Sequence, residues 1–380
     1  MVLVFDWCKY FSPNTYYKRF FLIKSKYKEY LCKMLDKMLY NTVLCQTFSP
    51  CGKYLVAGNI YGQIAVFDLD RILNPVVELF STDFNKPKHI HTIQTGHQIC
   101  SLASTDKFLI VGSVNEITGW DWKTTTTAKM NKPSWAIKLP SQSSMEQNDV
   151  NSLWLGDEEG KLYAGCGDNN VYKYNLEDRR LISTFTGHAD FIHAVHGNNQ
   201  QLVTASEDGS VRLWDQRTST CSNKIEPHTN SKVSRPDVGK WVGAAALGDD
   251  WIVCGGGPRL SLWHLRSLDA VTVFDIPDHG IHVSFFHDDC IVAGGAAKHL
   301  YQLNYSGDVK VELPVSATTV YSAILRTSPN KVLAIAGSSP EIDRRLRAQY
   351  SLAPISVDAL VANIPVLQYR CVSFGYPYVK

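Results

Sequence analysis

The 380-residue sequence predicts an all-β fold: a seven-bladed β-propeller preceded by a short N-terminal helix. Three observations predict it. A unit of two strand-like runs, a tight turn and a closing aromatic residue recurs along the chain. The closing aromatics fall at blade-sized intervals. The text between units is polar and rich in turn residues, with no helical period.

The clearest unit runs from Gly187-His188 to Trp214-Asp215. Phe191 to Val195 is apolar and strand-like, Gln201 to Ser206 is a second strand, Asp208-Gly209 signals a tight turn, and Val211 to Asp215 closes the unit. This order resembles a WD repeat, the unit that forms the antiparallel strands of one propeller blade. By that resemblance His188, Asp208, a strand hydroxyl (Thr204 or Ser206) and Trp214 form a hydrogen-bonded string. Such a string satisfies buried polar groups and fixes the twist of the blade, so these residues read as structural and not catalytic.

Weaker copies close at Phe67, Trp120, Tyr174, Trp263 and Tyr301, each preceded by an apolar run that ends in glycine, and Val332 to Gly337 begins a seventh unit. Successive closing aromatics are 53, 54, 40, 49 and 38 residues apart, which brackets the roughly 40–45 residues of a blade. The longest intervals contain Asn74 to His91 and Lys123 to Asn148, two polar segments that read as loop insertions.

The ends read differently. From Tyr30 to Tyr40, Leu31, Leu35 and Met38 recur at helical spacing, which predicts a short amphipathic helix that caps the propeller or docks on a partner. The chain therefore divides into an N-terminal extension (1–33), poorly ordered or helical, a propeller (34–343) and a divergent tail (344–380). Proline at 354, 365 and 377 favours a tail that hangs free; the alternative is a return of Val366 to Phe374 as a closing strand.

Composition excludes several classes of function. A net charge of +2 is not that of a dedicated nucleic-acid binder. No apolar run reaches the roughly 20 residues of a membrane span, and no secretory leader is evident. The 10 cysteines are scattered, with no C-x-x-C pair, so neither a disulfide framework nor a zinc site is expected. Gly255-Gly256-Gly257-Pro258 lacks the Lys-Ser/Thr or helix start that holds a phosphate and reads as an inter-strand turn, as does Gly165-Cys166-Gly167-Asp168. His89, His91 and His97 have no carboxylate or thiol at ligand spacing and read as solvated loop positions. Asp157-Glu158-Glu159 reads as a hairpin tip, and Arg344-Arg345-Leu346-Arg347 as a solvated part of the tail. No catalytic residue, cofactor, metal or small-molecule substrate is expected. The loop positions Asp190, Phe191 and Glu207, beside the string, are candidate partner contacts, because loops on a rigid scaffold carry recognition.

Three stretches are more specific than any generic repeat: Ser49 to Asn59 with Tyr61 to Ala65, Ser234-Arg235-Pro236 with Gly239 to Gly243, and Val253 to Pro258 with Leu262 to Ser267. They resemble the family of WD-repeat subunit 6 of the THO complex, over about Leu35 to Asp343. The resemblance implies a nuclear, non-catalytic scaffold docked on the coiled-coil subunits of THO, with weak or indirect RNA contact, in the machinery that couples mRNA synthesis and processing to export. Another reading is a substrate-receptor propeller of a ubiquitin ligase, suggested by Trp214-Asp215-Gln216-Arg217. An enzyme in propeller form ranks last.

Overall fold

In the computed structural model the described residues are 41–73, 87–93, 95–128, 130, 132–140, 147–156, 160–277, 279–339, 341–346 and 370–373. The chain divides into two compact units, Met1–Asn41 and Thr42–Lys380. Apart from residue 41 everything described belongs to the second. The predicted helix, with Leu31, Leu35 and Met38, lies outside the described residues.

Each apolar run of the sequence becomes the second strand of a sheet. Tyr54–Asn59, Phe108–Gly112, Lys161–Cys166, Gln201–Ser206, Trp251–Gly256, Cys290–Gly295 and Val332–Gly337 are buried over nearly their whole length. A strand covered on both faces needs continuous apolar text, whereas an outer strand alternates. Trp135–Lys138 is the alternating case: Trp135 and Ile137 are buried, Ala136 and Lys138 exposed.

Among the described residues the strands form seven four-stranded sheets, each an antiparallel meander of consecutive strands. Seven apolar clusters lie between them. One joins Phe185 of the third sheet to Leu202 and Trp214 of the fourth, and another joins Val43 and Leu55 of the first sheet to Ala334 and Ile342 of the last. Contact between the first and last sheets closes the ring. It also carries polar bonds: Gln46 Nε2 donates to Ser322 O at 3.3 Å and Arg326 Nη2 to Pro50 O at 2.8 Å. The architecture is an all-β propeller.

Two expectations need correction. The polar segments read as loop insertions reach into or contain the outer strand of their sheet: the first ends within His89–Thr92 and the second contains Trp135–Lys138. Four residues are too few for a periodic signal, and pairing with the third strand supplies what the local text lacks. The tail is not free over all its length. Arg370–Ser373 pairs antiparallel with Glu341–Arg344, and the strand that crosses the expected propeller boundary at Asp343 runs to Leu346, through most of the Arg344-Arg345-Leu346-Arg347 cluster. An unpaired edge at Ile342 would leave a row of backbone donors and acceptors open, and the returning strand covers it. Neither Pro365 nor Pro377 falls within the pairing segment. Ending the chain at Asp343 should therefore shift the protein from a discrete peak to aggregates in size-exclusion chromatography; an elution volume matching the full chain would show that the seventh sheet closes without the tail.

Candidate functional site

The fourth sheet comprises Ile192–Gly197, Gln201–Ser206, Val211–Asp215 and Thr220–Ile225. At one end of it, the Gly187-His188 entry loop meets the Asp208-Gly209 turn. His188 Nδ1 lies 2.8 Å from Asp208 Oδ2, and its Nε2 lies 2.6 Å from Thr204 Oγ1. Trp214 Nε1 donates to the same Thr204 oxygen at 2.9 Å. The bonds are consistent in one tautomer: the indole N–H donates to Thr204, the Thr204 hydroxyl to Nε2, and the Nδ1 proton to the Asp208 carboxylate. Burial pulls the His188 pKa down against the opposing pull of Asp208, so the ring is held neutral. Burial also works against the Asp208 carboxylate, but bonds from His188, Ser210 and the Ala189 N–H outweigh it and hold the group well below the usual carboxylate range.

Of the two candidate hydroxyls Thr204 is the one in the string. Ser206 instead caps the turn, donating to Asp190 O at 2.9 Å and accepting from Asp208 N at 3.1 Å. Ser210, which sequence reasoning missed, donates to Asp208 Oδ1 at 2.6 Å. Its signal was in the text as Asp-Gly-Ser, because an aspartate that starts a turn accepts from the backbone two residues on, and the Ser210 N–H does so at 2.8 Å. Replacing Asp208 by alanine should cost about 1–3 kcal/mol by leaving His188 unsatisfied. Both shifts have the same sign for stability. The unfolded chain takes up protons at about pH 6.5 on histidine and about pH 3.9 on aspartate, whereas the folded pair takes them up only at lower pH. The pair's contribution should thus be complete in neutral solution and fade as pH falls below about 6.5. The gap between wild type and Asp208→Ala in thermal melts reports the carboxylate, since Asp208 raises the His188 pKa that burial lowers, and it should close only as pH falls below about 3.9; a gap that stays constant there would rule the coupling out.

The predicted contact positions share this rim. Phe191 is 52% exposed, a large apolar side chain left in solvent. Asp190 and Glu207 are half-buried beside it, with Glu207 Oε2 2.8 Å from His193 Nε2. The rim opens on a central cavity of 260 Å³ to which the first strand of every sheet contributes. At the same mouth His282 stacks on Trp241 at 5.0 Å and meets Tyr321 at 5.0 Å. Burial, with His193 nearby, pulls His282 down to about 4, so the His282 ring is uncharged at neutral pH. Among the described residues no three histidines, cysteines or carboxylates gather as metal ligands.

The WD domain, G-beta repeat model matches residues 179–215, the unit that holds the string. The THO complex subunit 6 of Drosophila melanogaster is 39% identical over 310 residues, which is 80% of this chain and 86% of that protein. The human THO complex subunit 6 is 36% identical, covering 80% of this chain and 89% of its own length. The chain belongs to the THO complex subunit 6 family. A more distant member of the same name, from Arabidopsis thaliana, is 26% identical over 62% of this chain and 66% of its own length.

The motifs that carry the THO subunit 6 resemblance are explained by packing. Ser234-Arg235-Pro236 and Val253 to Pro258, far apart in sequence, form one device. Arg235 is buried, and its guanidinium donates to Gly257 O at 2.7 Å, Gly256 O at 3.0 Å, Pro258 O at 3.2 Å and His279 O at 2.9 Å. It pins the ordered loop before the fifth sheet to the turn within that sheet and to the entry of the sixth. The glycines are required by close approach: a Cβ on Gly257 would lie 2.2 Å from Gly239 O. Ser49-Pro50-Cys51-Gly52 is the other clasp. Gly52 has φ +72°, a left-handed turn that a side chain disfavours, and the carbonyls of Ser49 and Pro50 accept from Arg326 across the ring closure. Nothing in the sequence linked Arg235 or Arg326 to those carbonyls.

Positions set aside on sequence grounds resolve individually. Gly255 and Gly256 end a strand, with no helix start at the turn. His91 is no solvated loop residue: it sits on a strand, buried, with Nε2 2.9 Å from Thr125 O. His97 is exposed and forms no string like that of His188. Asp157-Glu158-Glu159 lies outside the described residues. In the Trp214-Asp215-Gln216-Arg217 run, Gln216 Nε2 donates to Gln201 O at 3.0 Å and Arg217 pairs with its own Asp215 at 3.2 Å.

Proposed function

We propose that the chain is a non-catalytic scaffold subunit of a THO complex in the nucleus, joining mRNA synthesis and processing to export through protein–protein contacts. The observation that carries this reading is the 39% identity to a THO complex subunit 6 across 80% of the chain. We read the seven sheets as seven blades of one closed ring, which gives partners a rigid surface. Coiled-coil THO subunits would dock on it, using the exposed Phe191 with Asp190 and Glu207, and the segment that holds Leu31, Leu35 and Met38. RNA contact, where it occurs, is weak or indirect. Affinity purification of the tagged chain from nuclear extract, followed by mass spectrometry, tests the assignment. Recovery of the other THO subunits is the expected result. Recovery of a cullin-ligase adaptor without them would replace this reading by that of a ubiquitin-ligase receptor.

A further inference from the structure

The face opposite the His188 rim carries a second arrangement. There the first and second strands of each sheet are joined. In the fifth sheet, Val242–Leu247 turns through Gly248-Asp249-Asp250 into Trp251–Gly256; in the sixth, Ile281–His287 turns through Asp288-Asp289 into Cys290–Gly295. Four aromatic rings lie between and beneath these turns. Trp251 meets His264 edge-on at 5.4 Å and 78°, and Tyr305 at 6.1 Å and 56°. Phe286 meets Tyr305 edge-on at 5.9 Å and 82°, and its ring lies 3.3 Å from where a Cβ on Gly248 would stand. All four rings are only partly buried. The platform spans the junction of the two sheets and is tied across it, since Thr272 Oγ1 donates to Tyr305 O at 2.7 Å.

The chemistry of the surround is one-sided. Asp249, Asp250, Asp288 and Asp289 are all exposed around this platform. Among the described residues no lysine or arginine pairs with any of them, and Asp288 has only His287, at 3.4 Å. Burial raises the Tyr305 pKa, and Asp289, Cys290 and Asp249 add to the rise. Aspartates on hairpin turns would by themselves be a solvated rim. Here they surround tilted and edge-on rings whose faces attract a cation and whose surface accepts an aliphatic stem.

We propose that this platform binds a lysine- or arginine-bearing segment of a partner protein, with the side-chain stem across Trp251 and Tyr305 and the cation between the carboxylates. Arginine fits better than lysine, because a planar guanidinium both stacks on a ring and pairs with carboxylates. The same carboxylates repel phosphate, so this platform disfavours nucleic acid. The inference does not depend on which complex the chain joins.

The test uses the full chain and fluorescent dodecapeptides of alternating glycine and arginine, lysine, citrulline or glutamate, read by anisotropy. Affinity should follow arginine, then lysine, with citrulline and glutamate silent. The double substitution Asp249→Asn/Asp289→Asn, on exposed side chains, should weaken arginine-peptide binding roughly tenfold. Asp237→Asn/Asp275→Asn, the same charge change elsewhere on the fifth-sheet side, should leave it unchanged. Trp251→Leu, with its melting curve checked, should weaken binding while the aspartates remain. Equal loss from both aspartate pairs would show bulk charge attraction only and overturn the proposal. So would Trp251→Leu binding as wild type, or single-stranded RNA competing with the peptide at the same site.

Discussion

Replacing Arg235 by alanine is expected to lower the melting temperature by about 6–10 °C. The guanidinium is the shared donor to four carbonyls, those of Gly256, Gly257, Pro258 and His279. A buried acceptor left without a donor costs about 1–3 kcal/mol. Relaxation and entering water recover part of that, which leaves about 3–5 kcal/mol. For a domain of this size each kcal/mol corresponds to roughly 2 °C. Arg235→Lys should be intermediate, because an ammonium keeps the charge but not the fork that reaches several carbonyls at once. The damage should be local at first: hydrogen exchange should accelerate in Val242–Leu247 and at the entry of the sixth sheet before it does elsewhere. Melting of the alanine variant within a degree of wild type would mean that Arg235 is not the pin of this loop.

Trp214→Ala is expected to cost about 3–5 kcal/mol. Trp214 is 1% exposed and, among the described residues, the largest of the fully buried side chains. It packs edge-on against Phe185 of the neighbouring sheet at 5.8 Å and 82° while its indole N–H holds Thr204. Truncation therefore opens a cavity at a junction between two sheets and removes a donor from the string. Trp214→Phe separates the two losses: it keeps most of the packing and should cost only about 1 kcal/mol for the hydrogen bond. If the two variants melt alike, the string and not the packing carries the contribution of this residue.

The two sites differ in how far they could be read from the sequence. His188, Asp208 and Trp214 lie within one repeat, and their spacing follows from a local rule: an entry loop, a turn and a third strand must meet at one end of one meander. Ser210 lay within the same turn, and only the choice between Thr204 and Ser206 needed coordinates, because two residues apart on one strand they share a face and alternation does not separate them. Arg235 is the opposite case. Its partners lie 21 to 44 residues away along the chain, and they are backbone carbonyls, which carry no residue identity that a sequence can display. Trp251, Phe286 and Tyr305 likewise look like ordinary strand-end aromatics, and the four aspartates like ordinary turns, until two sheets stand side by side.

By itself the sequence determined that this chain is all-β and repetitive, where the second and third strands of the repeats lie, that His188, Asp208 and Trp214 belong to the string of the fourth sheet, and to which family it belongs. These are properties of short windows, set by alternation, turn chemistry and motif spacing. Tertiary structure alone decided the outer strands at His89–Thr92 and Trp135–Lys138, the return of Arg370–Ser373 to cover the edge at Ile342, and the clasps made by Arg235 and Arg326. The physical reason is common to all of them. A strand of four residues, or an arginine among carbonyls, gains its free energy from groups that only the closed ring brings within reach, so no local window contains the interaction that selects it.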